Sequence, residues 1–169
     1  MFRIFNRIRR TGQLTEPLPA AEQPAAEPGA RCQQEIARKF SHSLAIRMVD
    51  AGSCNGCELE MHAVNNSFYD IERFGIHFVA SPRHADLLLV TGVVSRHMEE
   101  ALQRTYAAIP NPKLVIAMGD CAGCGGEFGV SYASCGAVAN VIPVDAVISG
   151  CPPTPEQLLR GILELLQRS

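Results

Sequence analysis

From Leu44 onwards, short apolar runs alternate with stretches in which apolar residues recur at helical spacing. The apolar runs predict five strands, at residues 44–49, 76–79, 86–91, 113–118 and 144–149. The third of these contains four consecutive large apolar residues, which is typical of a strand buried on both faces. This alternation predicts an α/β fold with a parallel sheet covered by helices on both faces.

Three helices are predicted around these strands. The first begins near Asn55, and its buried stripe is predicted from the apolar residues Leu59, Ala63 and Phe68, with Ile71 beyond them. The second begins after Ser95, a residue type that caps helix N-termini. The last begins at Thr154-Pro155-Glu156-Gln157, a capping-box pattern with proline at the first helical position.

The first 43 residues follow a different pattern. Residues 1–10 contain four arginines and no acid, and their apolar residues recur at near-helical spacing: Phe2, Ile4, Phe5 and Ile8. We predict a short basic amphipathic helix that docks on a membrane-embedded partner at the lipid interface; the alternative is a solvated basic tail. Four prolines interrupt residues 11–30, which predicts an extended arm. Residues 1–43 are therefore assigned to the arm and residues 44–169 to the α/β domain.

The composition argues against nucleic-acid binding and a transmembrane segment, and it favours metal binding. The formal net charge of the 169-residue chain is −2, which gives no general case for nucleic-acid binding. No apolar run approaches the roughly 20 residues that span a bilayer, so we expect a peripheral protein without a transmembrane segment. Seven cysteines without a secretory signal favour a reducing compartment and metal ligation over disulfides.

The glycine-flanked cysteines all follow predicted strands. Cys54 and Cys57 come after the first strand, Cys121 after the fourth and Cys151 after the fifth. Because the carboxyl ends of parallel strands share one edge of a sheet, three loops can bring these residues to one site.

Three kinds of site compete for these cysteines. A zinc site would pair Cys54 and Cys57 with Cys121 and Cys124, although the gap between the pairs is long for zinc. A redox dithiol would use one C-x-x-C pair alone. A [4Fe–4S] cluster needs four thiolates, which Cys54, Cys57, Cys121 and Cys151 can supply. Spacing alone does not separate Cys121 from Cys124, whereas Cys32 and Cys135 are expected not to be ligands.

Three separated motifs resemble those of a known family. They are Cys54-Asn55-Gly56-Cys57, the stretch 119–126 with sequence GDCAGCGG, and the stretch 143–155 with sequence PVDAVISGCPPTP. They are similar to motifs of the cluster-binding small subunits of [NiFe] hydrogenases and of the related 20 kDa subunit of respiratory complex I. The resemblance covers roughly residues 44–166. It implies a flavodoxin-like fold and assigns the third ligand to Cys121.

The first motif differs between the two branches. Hydrogenase small subunits have C-x-x-C, as here, whereas the complex I subunit has two adjacent cysteines. The long downstream region of uptake hydrogenases, with its further cluster cysteines, is not found before Ser169. The chain therefore most resembles the small subunit of energy-conserving, membrane-bound hydrogenases of the formate hydrogenlyase type.

This resemblance implies a subunit of an oxidoreductase complex that transfers electrons through one [4Fe–4S] cluster. Its partners would be a large subunit holding the nickel–iron centre, a ferredoxin-like iron–sulfur subunit and membrane-arm subunits, at the cytoplasmic side of the inner membrane. No bond-making catalytic residue is expected on this chain. The alternatives are a complex I-like subunit that passes electrons to quinone and a zinc-stabilised structural module.

Two acids follow the first motif. Glu58 and Glu60 could relay protons near the cluster. Acids in the first turn of a helix more often interact with the helix dipole, so both roles remain open.

Overall fold

The computed structural model describes residues 2–11, 26–40 and 42–168. The helices and strands in these ranges are, in chain order, α1 (Phe2–Thr11), α2 (Ala26–Phe40), β1 (Leu44–Asp50), α3 (Gly56–Val64), β2 (Ile76–Phe78), β3 (Leu87–Thr91), β4 (Val94–Ser95), α4 (Arg96–Ala108), β5 (Leu114–Met118), α5 (Asp120–Cys124), β6 (Ser134–Gly136), β7 (Ala146–Ile148) and α6 (Pro155–Arg168). Short 3-10 turns lie at Ile71–Phe74, Pro82–His84 and Val138–Asn140.

Five strands form one sheet in the order β2-β1-β3-β5-β7, and every pair in it is parallel. All five residues of the central strand β3 are buried, as its uninterrupted apolar run predicted. The order is that of flavodoxin-like sheets. The prediction of an α/β fold with a flavodoxin-like parallel sheet is confirmed.

Alternate residues of β3 point to opposite faces and belong to two separate apolar clusters. Leu87 and Leu89 pack in the cluster that includes residues of α2, α3 and α6. Leu88 and Val90 pack in the second cluster, which includes Leu102 of α4. Helices therefore cover both faces of the sheet.

The start of α6 has the predicted capping box. The backbone N–H of Thr154 donates to the side-chain carbonyl of Gln157 at 2.8 Å, and the N–H of Gln157 donates to the Thr154 hydroxyl oxygen at 3.3 Å. These two bonds satisfy donors that would otherwise have no partner within the helix. Seven residues of the helix that follows are buried, which fastens it to the sheet.

The predicted stripe of α3 is wrong. Leu59 and Phe68 are 60% and 74% exposed, and the buried residues of this helix are Glu58, Met61 and Val64. The helix ends at Val64, so the apolar spacing that continues to Phe68 does not lie on one helix. The polar residue Glu58 faces inwards because it has a partner there, described below.

Residues 26–40, before β1, form helix α2, so the described part of the predicted extended stretch 11–30, residues 26–30, is helical. Residues 1–43 are assigned to the arm from the sequence, whereas α2 packs against α6 and places Cys32 and Ile36 in the core. Both side chains are almost completely buried, at 0% and 3% exposure. The remainder of the predicted proline-rich arm falls largely on residues 12–25, which lie outside the described residues.

The carboxyl ends of the strands form the edge that carries the glycine-flanked cysteines. In the sheet, β2 lies on one side of β1, whereas β3, β5 and β7 follow on its other side. The loops after β1 and β3 therefore run in opposite directions and leave a crevice between them. A small antiparallel pair, β4 with β6, follows β3 in the chain. Its strands are only two or three residues long, too short to show an alternating pattern that would predict them.

Among the helices in the described ranges, none has the length and apolar character needed to cross a bilayer.

Candidate metal centre

The loop after β1 is held by the side chain of Asp50. Its carboxylate accepts hydrogen bonds from the backbone N–H groups of Gly52 and Ser53, both at 2.8 Å. Asn55 then adopts a left-handed conformation, φ 71°, and α3 begins at the next residue. Cys54 therefore lies in the turn and Cys57 in the first turn of the helix, whose positive dipole end favours nearby thiolates.

The loops after β5 and β7 are joined to each other. The N–H of Gly119 donates to the carbonyl of Ile148 at 2.7 Å, which continues the pairing of β5 with β7. Cys121 follows on the short helix α5, and Cys151 follows β7 directly before Pro152 and Pro153. Because hydrogen bonds connect the loops, each cysteine has a defined position relative to the other.

The three loops enclose one cavity of about 220 Å³. All four glycine-flanked cysteines line it: Cys54, Cys57, Cys121 and Cys151. Apolar side chains supply much of the remaining wall: Val93, Phe128 and Pro152. Four cysteines around one mostly apolar space form a donor set suited to a metal group with several iron atoms.

Two glycines keep the backbone close to these sulfurs. A Cβ atom at Gly119 would lie 2.8 Å from the sulfur of Cys57, and a Cβ at Gly126 would lie 2.8 Å from the sulfur of Cys121. Both residues also have positive φ angles, 89° and 52°. A side chain at either position would displace a thiol, so glycine is required there.

The cavity disfavours negative charge on its thiols. The pKa of Cys57 is raised to about 12, first by burial and then by the Glu58 carboxylate and the other three cavity thiols. The pKa of Cys121 is also raised, first by burial and then by Cys151 and Cys54. These groups need a positively charged partner in order to ionise together, and bound metal ions are such a partner. The residues present therefore fit an iron–sulfur group.

Residues 54–165 match the family described as NADH ubiquinone oxidoreductase, 20 Kd subunit. The matched region is about two thirds of the chain and includes all four cavity cysteines. This chain belongs to that family. The resemblance predicted from the three motifs is confirmed.

Three relatives represent the branches of the 20 kDa subunit family. Formate hydrogenlyase subunit 7 of Escherichia coli is 43% identical over 132 residues, 78% of this chain and 52% of that protein. The probable membrane-bound hydrogenase subunit mbhJ of Pyrococcus furiosus is 45% identical over 134 residues, 79% of this chain and 80% of that protein. The B 1 subunit of the NADH-quinone oxidoreductase of Herpetosiphon aurantiacus is 50% identical over 113 residues, 66% of this chain and 63% of that protein. This chain thus spans about half the length of the first relative and under two thirds of the third.

A solved structure also resembles this member of the family. A chain of the membrane-bound sulfane sulfur reductase (MBS), an archaeal respiratory membrane complex, superposes with a TM-score of 0.67 at 38% identity. The match covers 80% of this chain and 74% of that one. These relatives are subunits of oxidoreductase complexes, as expected for a member of the 20 kDa subunit family.

The three other cysteines lie outside the cavity lining. The exposed thiol of Cys124 donates to the carbonyl of Asp120 at 3.1 Å. Cys135 is buried, and its thiol donates to the carboxylate of Glu99 at 3.3 Å. Cys32 is buried in the core, where its thiol donates to the carbonyl of Leu159 at 3.6 Å. The structure therefore brings Cys121, and not Cys124, to the other three cavity cysteines.

Glu58 has a partner that sequence reasoning missed. Its side chain is buried, and one carboxyl oxygen accepts a hydrogen bond from the hydroxyl of Thr91 at the end of β3. Its other carboxyl oxygen has no hydrogen-bond partner among the described residues. A threonine closing an otherwise apolar strand was the signal that could have predicted this contact. Glu60 is half-buried and no hydrogen bond links it to the cavity in the described part of the chain.

Several histidines gather at the opposite edge of the sheet. A separate hollow there is lined by His42, His77, His84 and the neighbouring Arg83 and Asp86. In the ranges that the structure describes, no three His, Cys, Asp or Glu side chains are placed to hold a single metal ion.

Proposed function

We propose that this chain is an electron-transfer subunit that holds one [4Fe–4S] cluster through Cys54, Cys57, Cys121 and Cys151. The observation that carries the proposal is the convergence of these four thiols on one cavity of about 220 Å³. Such clusters are held by four cysteine thiolates and serve, when bound, as one-electron carriers. The absence of Cys124 from the cavity lining supports the choice of Cys121.

The chain's own residues would hold the group and surround it with largely apolar side chains. Val93, Phe128 and Pro152 line the cavity, and the hydrophobicity of such a lining influences the reduction potential of the group. Cys57 lies in the first turn of α3, and the unpaired N–H groups and positive dipole end of a helix N-terminus favour thiolate ligands. These residues bind and orient; none of them needs to make or break a bond in a substrate.

We infer that the surrounding complex is a membrane-bound hydrogenase. In that setting the chain lies beside a large subunit with the nickel–iron centre and passes electrons between it and a ferredoxin-like subunit. Membrane-arm subunits would hold the assembly at the cytoplasmic side of the inner membrane. The C-x-x-C spacing of Cys54 and Cys57 and the names of two relatives support this assignment.

A complex I-like quinone oxidoreductase is the second candidate, and the 50% identity to a subunit of an NADH-quinone oxidoreductase favours it. Isolation of the native complex separates the two. A hydrogenase contains nickel and reduces a viologen dye with hydrogen as donor. A complex I-like enzyme lacks nickel and reduces quinone instead.

The cluster assignment is tested by anaerobic isolation and electron paramagnetic resonance. We expect about four irons and four sulfides per chain and the signal of a reduced [4Fe–4S] cluster, the type that four cysteine thiolates hold. Cys121→Ala should abolish or convert this signal, whereas Cys124→Ala and Cys135→Ala should leave it unchanged. A normal signal in Cys121→Ala would reassign the third ligand to Cys124. Stoichiometric zinc without sulfide would show a structural zinc module instead.

A further inference from the structure

Helix α1 carries apolar and basic residues on largely different sides. At 100° per residue, Ile4 and Phe5 lie on one side of the helix, Arg3 and Arg10 lie on the opposite side, and Arg9 lies next to Phe5. Ile4 and Phe5 are 64% and 65% exposed. Two large apolar side chains are thus open to solvent on a helix of only ten residues.

Helix α1 is strongly basic, whereas the rest of the chain is acidic. Phe2–Thr11 contains four arginines and no acidic residue. The complete chain has a formal net charge of −2, so the remainder is acidic. An isolated concentration of positive charge favours an extended negative surface over a neutral one.

We propose that α1 is an interfacial helix that binds an anionic lipid surface, with Ile4 and Phe5 inserted among the head groups and Arg3, Arg9 and Arg10 paired with lipid phosphates. Exposed apolar residues and arginines on one short helix are the two features that such binding uses. Arginine also suits phosphate, because its guanidinium donates two parallel hydrogen bonds to it. The arginine stems can extend along the interface while the charged groups stay in water. The helix is too short to cross the bilayer and would lie in its plane.

The test is flotation of the full-length, cluster-loaded chain with two kinds of vesicle. One is pure phosphatidylcholine, and the other contains about one quarter phosphatidylglycerol, an anionic lipid. We expect binding to the anionic vesicles that weakens as salt is added, and little binding to the neutral ones. Equal binding to both kinds of vesicle would overturn the proposal.

Two variants of α1 separate its charge from its apolar side chains. Arg3→Gln/Arg9→Gln/Arg10→Gln should lower partition into anionic vesicles roughly a hundredfold, since each arginine near such a surface contributes about a factor of five. Ile4→Ser/Phe5→Ser should lower partition at least about tenfold by removing the inserted apolar area. The iron content of both variants should equal that of the unchanged protein.

The chain offers matched controls on its folded domain. Arg104→Gln/Arg168→Gln removes two arginines whose side chains are 77% and 73% exposed, and Phe68→Ser removes an apolar residue that is 74% exposed. Partition should be unchanged in both controls. A similar loss in the controls and in the α1 variants would refute a specific role for the helix. If the unchanged protein fails to bind vesicles while the α1 variants detach from native membranes, the helix binds a protein and the lipid proposal is wrong.

Discussion

The carboxylate of Asp120 accepts a hydrogen bond from the backbone N–H of Gly150 at 2.9 Å. The backbone N–H of Asp120 in turn donates to the carbonyl of Gly150, also at 2.9 Å. The two bonds join the residue before Cys121 to the residue before Cys151. Asp120 thereby links the positions of two cavity thiols, those of Cys121 and Cys151.

Asp120→Ala should make the metal group labile. Loss of the carboxylate removes a bond of the charge-assisted kind, which contributes about 1.5–3 kcal/mol, and frees the two loops to separate. We expect faster loss of iron to a chelator and a broadened paramagnetic signal, with Asp120→Asn close to the unchanged protein because its side chain keeps an acceptor.

Asp145→Ala is the matched control for this experiment. Asp145 accepts a bond of the same kind from the N–H of Val115 at 2.7 Å, at the opposite edge of the sheet. Iron loss from this variant should be slow. Equal rates for Asp120→Ala and Asp145→Ala would show that general destabilisation, and not loop position, governs retention.

Gly119→Ala should prevent assembly of the metal group. The new methyl would lie 2.8 Å from the sulfur of Cys57 at a residue with φ 89°. Gly75→Ala is the control for a positive φ without a steric clash, because Gly75 has φ 76° and a Cβ there meets nothing within 4 Å. Strain in the left-handed region costs about 1–2 kcal/mol, so Gly75→Ala should lose about that much stability in urea. Gly119→Ala should lose more, because φ 89° with ψ 160° is a conformation that essentially only glycine adopts. Only Gly119→Ala should also lose iron, and normal iron content in it would disprove the steric argument.

The sequence predicted the sheet well because the signals for its strands are local. The uninterrupted run in β3 and the capping box at Thr154 and Gln157 can each be recognised within a few residues. The stripe of α3 was mispredicted because spacing from Leu59 to Phe68 does not reveal that the helix ends at Val64. The pairing of β4 with β6 joins segments about forty residues apart and has no local signal. Likewise, spacing alone does not separate Cys121 from Cys124; the family resemblance favours Cys121, and the fold places Cys121 in the cavity lining.

Iron loading should depend on pH. Burial, together with the nearby Glu58 carboxylate and the other cavity thiols, raises the pKa of Cys57 from 9.0 to about 12, so this thiol is protonated at neutral pH in the metal-free protein. Because iron binds the thiolate, loading releases the proton, and a rise in pH favours the loaded form. We expect anaerobic reconstitution between roughly pH 6.5 and pH 8.5 to become more favourable by up to about tenfold per pH unit for each proton released.

The control for this pH dependence is Cys32→Ala. Burial also raises the pKa of Cys32 to about 12, but this residue lies in the core and outside the cavity lining. Its removal should leave the pH profile of loading unchanged. A profile that is flat for the unchanged protein would mean that the cavity thiols are already ionised before iron arrives.

Thr91→Val should destabilise the fold through Glu58. Thr91 is fully buried, and its hydroxyl donates to the Glu58 carboxyl group, whose other oxygen has no hydrogen-bond partner in the described ranges. Valine has nearly the same shape but leaves that buried carboxyl group without its donor, at a cost of about 2–3 kcal/mol in urea unfolding. Thr91→Ser keeps the hydroxyl and should lose less than about half of that stability.

A double-mutant cycle with Glu58→Leu tests whether the loss comes from the contact between Thr91 and Glu58. In the Glu58→Leu background no buried carboxyl group is left without a donor, so Thr91→Val should cost about 1 kcal/mol or less. If Thr91→Val is equally costly in both backgrounds, the threonine stabilises β3 directly and its contact with Glu58 contributes nothing.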